Sequence, residues 1–183
     1  MVNVDVVVAA DVLVAALSRV SPQTVTFPRM PPKTASAAAD VIGTFVAPQD
    51  SFSLILSEDI LDETTTALVQ THGALGWDFA SADDAITVLC DLADESHGGL
   101  VVPHQTVHTP LAGRAATTAL RTAASDDLGH PRVAVVVTND PNALELPGWG
   151  PPNIGWRSRE LMIMGPAKFR DSVERTRLRL RHL

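Results

Sequence analysis

The chain has 183 residues, 14 of them basic and 21 acidic, for a formal charge of −7. That length fits one domain spanning 1–183, able to bury most of its surface without a metal or disulfide staple, and the acidic balance argues against tight nonspecific binding to nucleic acid through global charge. The single cysteine, Cys90, excludes an intrachain disulfide and points to a reducing compartment, the cytoplasm. The apolar N-terminus carries Asp5 and Asp11 and has no basic n-region, so it does not read as a signal peptide. No apolar run approaches the roughly 18–20 residues of a membrane span.

Val4 to Ala9 reads as a buried strand. Leu13, Ala16 and Leu17 then fall at helical spacing, with Asp11 near the helix start. Val20 to Lys33, rich in Pro, Ser and Thr, reads as a loop, and Ala-rich Thr34 to Val46 as a helix. Phe52 to Leu56 is a second strand. Ser57 suits an N-cap, with Glu58 and Asp59 at the positive end of a helix that Gly73 ends. Ser81 is expected to cap the next helix, with Asp83 and Asp84 in its first turn, until Gly98 and Gly99 stop it. Leu100 to Pro103 is a third short strand, and Thr109 to Ser125 an Ala-rich helix. Val133 to Thr138 is a fourth strand and Leu161 to Met164 a fifth. From Pro166 an Arg-rich helix closes the chain.

Strands alternating with helices predict an α/β fold: three layers, α/β/α, on a mostly parallel sheet of about five strands. The fourth strand is the most informative. Val133 to Val137 is an unbroken apolar run, the habit of a strand buried on both faces, and it stops at Thr138, Asn139 and Asp140. Ligands of open α/β sheets bind beyond the carboxyl ends of the strands, so a carboxylate there is a candidate for metal chemistry. Capping of a following helix is the alternative role for these three residues. Asp11 follows the first strand and Glu63 lies on the helix after the second. Two or three convergent carboxylates are what Mg²⁺ or Mn²⁺ requires, since hard cations prefer oxygen ligands, and such an ion can activate water for phosphodiester hydrolysis.

Four segments resemble, in order and spacing, a PIN domain, the ribonuclease fold of VapC-type toxins. Residues 6–17, VVVAADVLVAAL, resemble the family's opening strand and D-T-N-x-L helix start. Residues 54–68, LILSEDILDETTTAL, resemble its S-x-x-I-L-x-E segment, with Glu63 in the place of the second acid. Residues 135–144, VVVTNDPNAL, resemble its T-x-D strand end, with Asp140 as the last acid and Thr138 as the hydroxyl neighbour. Residues 161–173 resemble its closing strand, Pro and helix. The resemblance implies a Mg²⁺- or Mn²⁺-dependent endoribonuclease, with Asp11, Glu63 and Asp140 as metal ligands and Thr138 assisting. It also implies homodimers, RNA as substrate and an antitoxin-like protein partner.

The departures bear on activity. The family's first acid falls on Ala9 and its Asn on Asp11. Its third acid belongs close to Ala116 or Thr117, yet no Asp or Glu occurs from Ser96 to Ser125. Asp11 is the available substitute for the first acid, at a different angle from the strand end. Asp5 lies too far back along its strand. With two of four acids missing, the expectation is a degenerate site with weak or lost cleavage. The alternatives are a non-catalytic RNA- or protein-binding module and a single-metal endoribonuclease.

Other residue groups carry less. His104 and His108 are spaced four apart, but Pro103 and Pro110 bracket them, so a helical metal pair is disfavoured. Cys90 reads as a buried inert thiol. Trp77, Trp149 and Trp156 read as loop-edge packing, with stacking of bases the lesser alternative in the absence of interleaved basic residues. Asp126 and Asp127 suit turns or helix ends. Arg175, Arg177, Arg179 and Arg181 read as a solvated helix or, alternatively, a phosphate- or partner-contacting tail. The sequence has no GxGxxG, P-loop, GxSxG or zinc-type cysteine pattern.

Overall fold

The structure, a computed structural model, describes residues 4–27, 36–46, 52–105, 112–128, 133–146 and 161–180, with side chains of the last helix described to residue 176. Strand β1, Val4–Val8, leads directly into helix α1, Ala10–Leu17. Helix α2 is Ala37–Gly43, β2 is Phe52–Leu56 and α3 is Glu58–His72. Helix α4, Phe79–Glu95, precedes the short strand β3, Gly99–Leu100. Then follow α5, Arg114–Ala123, β4, Val133–Val137, and the single turn α6, Pro141–Leu144. Strand β5, Leu161–Met164, and helix α7, Pro166–Leu180, close the chain.

The five strands are all parallel, in the order β3-β2-β1-β4-β5, and helices flank the sheet as expected for three layers. Helix α5 packs on β1, β2 and β4, α4 packs on β2 and β3, and α7 packs on α2. Val6, Val7 and Val8 of β1 and Ala134, Val136 and Val137 of β4 are fully buried. This burial explains why their sequences lack alternation, and each valine so buried contributes roughly 1.5–3 kcal/mol. Asp5 lies among them as a buried carboxyl in mid-strand, away from the strand's carboxyl end.

Strand order fixes the place for a ligand. From β1 the chain steps outward to β2 and β3, then returns to the opposite side of β1 for β4 and β5. The reversal makes the carboxyl ends of β1 and β4 the topological switch point, where open sheets bind ligands. Residues 9–11 and 138–140 emerge there side by side, because Val8 pairs with Val137. The amide of Ala9 donates to Val137 O at 2.9 Å.

Several expected boundaries move. Helix α4 starts two residues before Ser81, because Asp78 is the cap: its Oδ1 accepts the Ser81 amide at 2.8 Å. Asp83 and Asp84 therefore sit beyond the first turn. Strand β3 covers only Gly99–Leu100, since Val102 turns its amide to the Asp127 carboxylate instead of the sheet. Helix α5 begins at Arg114, later than expected. Helix α2 begins at Ala37 after its cap Ser36, and the expected start at Thr34 lies outside the described residues. Trp77 is a core residue, 2 % exposed, and not loop-edge packing. Trp149, Trp156, His108 and Arg181 lie outside the described residues.

The expected cap of α3 holds. Ser57 caps α3 by accepting the Ile60 amide, and its hydroxyl also shares a 2.8 Å hydrogen bond with Thr122 of α5. Arg170 of α7 reaches the fully buried Asp40 of α2 at 3.0 Å, which ties the last helix to the second. Among the described residues, no helix is long and apolar enough to cross a membrane.

Candidate functional site

Asp11 is the second residue of α1, and its carboxylate turns toward the end of β4. Oδ2 accepts the Asn139 amide at 2.7 Å and the Thr138 hydroxyl at 3.0 Å. Oδ1 accepts the Val12 amide at 2.8 Å. Burial pushes the Asp11 carboxyl above its ordinary pKa, the three hydrogen bonds oppose that shift, and the nearby charge of Asp140 adds to it. Thr138 joins the two strand ends, since its fully buried hydroxyl also accepts the Asp140 amide at 3.1 Å.

Asp140 caps α6 in the way an Asx residue before Pro favours. Oδ1 accepts the amides of Asn142 at 2.8 Å and Ala143 at 3.3 Å. Oδ2 accepts the amide of Gly113, the residue before α5. Gly113 has no side chain to cap its own helix, and the Asp140 carboxylate supplies an acceptor there from the end of β4. One aspartate thus serves the positive ends of two helices. The close approach requires glycine: a Cβ at residue 113 would lie 2.7 Å from Asp140 Oδ2.

Glu63, on the second turn of α3, faces α5. Its Oε1 accepts the Arg114 Nε–H at 2.9 Å and the Thr118 hydroxyl at 2.8 Å. The pair is asymmetric: the Glu63 side chain is 12 % exposed and that of Arg114 87 %. Solvent screening at Arg114 leaves the pair about 0–1 kcal/mol of stability, so its consequence is positional and electrostatic. A groove of about 710 Å³ opens here, with Asp11, Val14, Glu63, Ala67, Phe79 and Arg114 in its walls. Exposed Phe79 stands in that lining.

The three acids expected to act together are thus linked, but through hydrogen-bond donors of the chain. Asp11 and Asp140 meet through Thr138. Asp140 and Glu63 meet through Gly113 and Arg114. Among the described residues, no three His, Cys, Asp or Glu side chains form a group able to hold a metal ion. A guanidinium sits on Glu63, and both oxygens of Asp11 and of Asp140 already accept hydrogen bonds, so a cation in this arrangement would share its ligands with donors of the chain.

Sequence reasoning missed Arg114, Gly113 and Thr118. A signal was present: Arg114 opens α5, which carries no acid, close to Ala116 and Thr117, where the resemblance placed one. Elsewhere the lesser candidates stay quiet. His104 lies in a non-helical segment clamped by Arg121, whose Nε–H donates to His104 O while Arg121 O accepts the His104 amide. Burial, followed by the charges of Asp94 and Asp91, pushes the Cys90 thiol up, which opposes thiolate chemistry. Arg175 donates to the Asp171 carbonyl within its own helix.

No family model, curated protein or solved structure matches the chain.

Proposed function

We propose that this chain is a PIN-like protein, related to metal-dependent endoribonucleases of the VapC toxin type, that has given up hydrolysis and works as a binding module. The four sequence segments carry the relationship. The observation that carries the loss of hydrolysis is the Arg114 Nε–H donating to Glu63 Oε1 at 2.9 Å. A fixed cation there meets the charge that a metal ion would otherwise meet.

The groove favours a protein segment over RNA. Among the described residues, Asp11, Asp62 and Glu63 line it against the single cation Arg114, on a chain of charge −7, and such a surface repels a phosphate backbone. Apolar walls at Val14, Ala67 and Phe79 suit side chains of a partner. An antitoxin-like protein and a second copy of the chain are the partners that the resemblance suggests.

The second reading, a single-metal Mg²⁺ or Mn²⁺ endoribonuclease using Asp11, Glu63, Asp140 and Thr138, draws on the placement of these residues at one rim of the sheet. Incubation with single-stranded and structured RNA plus Mn²⁺ separates the two. The binding module leaves RNA intact, with wild type indistinguishable from Asp140→Ala. Cleavage by wild type that Asp140→Ala abolishes would establish the nuclease.

A further inference from the structure

The groove contains its own counter-ion, and that ion is held in register from the carboxyl end of β4. Arg114 is the first residue of α5, and its guanidinium lies on Glu63. Directly before it, the amide of Gly113 is fastened to Asp140, whose own amide is fastened to Thr138. The Thr138 hydroxyl in turn donates to Asp11. The contacts run without interruption from Asp11 through Thr138, Asp140, Gly113 and Arg114 to Glu63.

We propose that Arg114 is a built-in counter-ion that closes the carboxylate rim to divalent cations, and that Asp140 is its positioning residue, acting through Gly113. This rests on the binding-module reading and names the residue that enforces it. Four features support it. No acid occurs from Ser96 to Ser125, so no carboxylate on α5 competes with Glu63 for the Arg114 guanidinium. Thr118, one turn along α5, donates to the same Glu63 oxygen and fixes where Arg114 must point. Gly113 leaves room for the Asp140 carboxylate that a Cβ would obstruct. The Glu63 side chain is largely buried, so its charge calls for a partner supplied by the chain.

Two measurements test it. Mn²⁺ binding is followed by isothermal titration calorimetry for wild type, Arg114→Ala and Arg114→Lys, with the fold of each checked by thermal unfolding. Arg114→Ala is expected to bind Mn²⁺ at least about tenfold more tightly than wild type, a difference of about 1.4 kcal/mol. Arg114→Lys keeps the charge and is expected to match wild type. Equal affinity in wild type and Arg114→Ala, binding to neither, or a lysine variant that behaves like the alanine one would overturn the counter-ion.

The Arg114 Nε–H resonance reports positioning. It is expected to shift in Glu63→Gln and to shift in the same direction in Asp140→Ser, a variant that keeps a capping hydroxyl for α6 but cannot reach Gly113. A resonance unmoved by Asp140→Ser would overturn the role of Asp140. RNA cleavage by wild type would instead contradict the binding module, so the two ideas fail on different observations.

Discussion

Replacing Gly113 by alanine isolates the contact on which the site geometry turns. Gly113 has φ −64° and ψ 168°, an extended conformation open to any residue. On backbone grounds alone, Gly113→Ala would stabilise the protein by about 0.4–1 kcal/mol through the unfolded chain. The new Cβ, however, would stand 2.7 Å from Asp140 Oδ2. The carboxylate has little freedom to retreat, because Oδ1 holds the Asn142 and Ala143 amides. Weakening a hydrogen bond to a charged group costs about 1.5–3 kcal/mol when buried. This one is partly exposed, so the lower end applies. The net expectation is destabilisation by about 1 kcal/mol, or roughly 2–4 °C in Tm for a chain of this size. Urea unfolding of wild type, Gly113→Ala, Asp140→Ser and the double variant closes the cycle. In the Asp140→Ser background the obstruction is gone, and Gly113→Ala should be neutral or stabilising. A stabilising Gly113→Ala in the wild-type background would refute the reasoning.

Further outcomes follow from other parts of the structure. Asp11 has a raised pKa, so its contribution to stability is fully present below the unfolded value near 3.9 and is lost as pH rises through the folded value. The stability of Asp11→Asn relative to wild type should therefore climb as pH rises across that window. Denaturation curves at pH 3.5 to 7 measure the difference, and a flat or falling difference would contradict the burial of this carboxyl. For Asp78 the shift is downward, caused first by the Ser81 amide. Its support of α4 is present above the unfolded pKa and lost as pH falls through the folded one, so Asp78→Ala should flatten the acid limb of the unfolding profile. At Gly98 a Cβ would lie 1.8 Å from Leu54 O, and that backbone oxygen cannot move cheaply. Gly98→Ala is expected to cost about 3 kcal/mol or more in urea unfolding. Arg170→Met removes the ion pair of the buried Asp40 carboxylate and should cost about 3 kcal/mol, while Arg175→Ala changes the unfolding midpoint little.

The sheet was legible because burial on both faces leaves a plain mark in sequence. Val133 to Val137 and Leu161 to Met164 carry unbroken apolar runs, Val4 to Val8 carries one interrupted only by the buried Asp5, and all three strands were located from these runs. Helix starts were less legible where two capping residues compete. Asp78 and Ser81 both qualify by residue type, and only the chain's path into the buried Trp77 decides for Asp78. Asp11, Glu63 and Asp140 were legible as acids near strand ends. Their partners were not, because Arg114 lies 51 residues from Glu63 and Gly113 lies 27 from Asp140. Periodicity reports which face of a helix is buried, and Arg114 is the exposed first residue of α5. The absence of acids on α5 was visible in the sequence. The pairing of Arg114 with Glu63 became visible only when α3 and α5 were brought together.

At the centre of this account, the chain's own donors occupy the carboxylates that a divalent cation would need. Calorimetric titration of the wild-type protein with Mn²⁺ tests that most directly. The expected result is no binding tighter than roughly 1 mM, a free energy of only about −4 kcal/mol. Micromolar binding that disappears in Asp140→Ala would contradict it and return Asp11, Glu63 and Asp140 to the role of metal ligands.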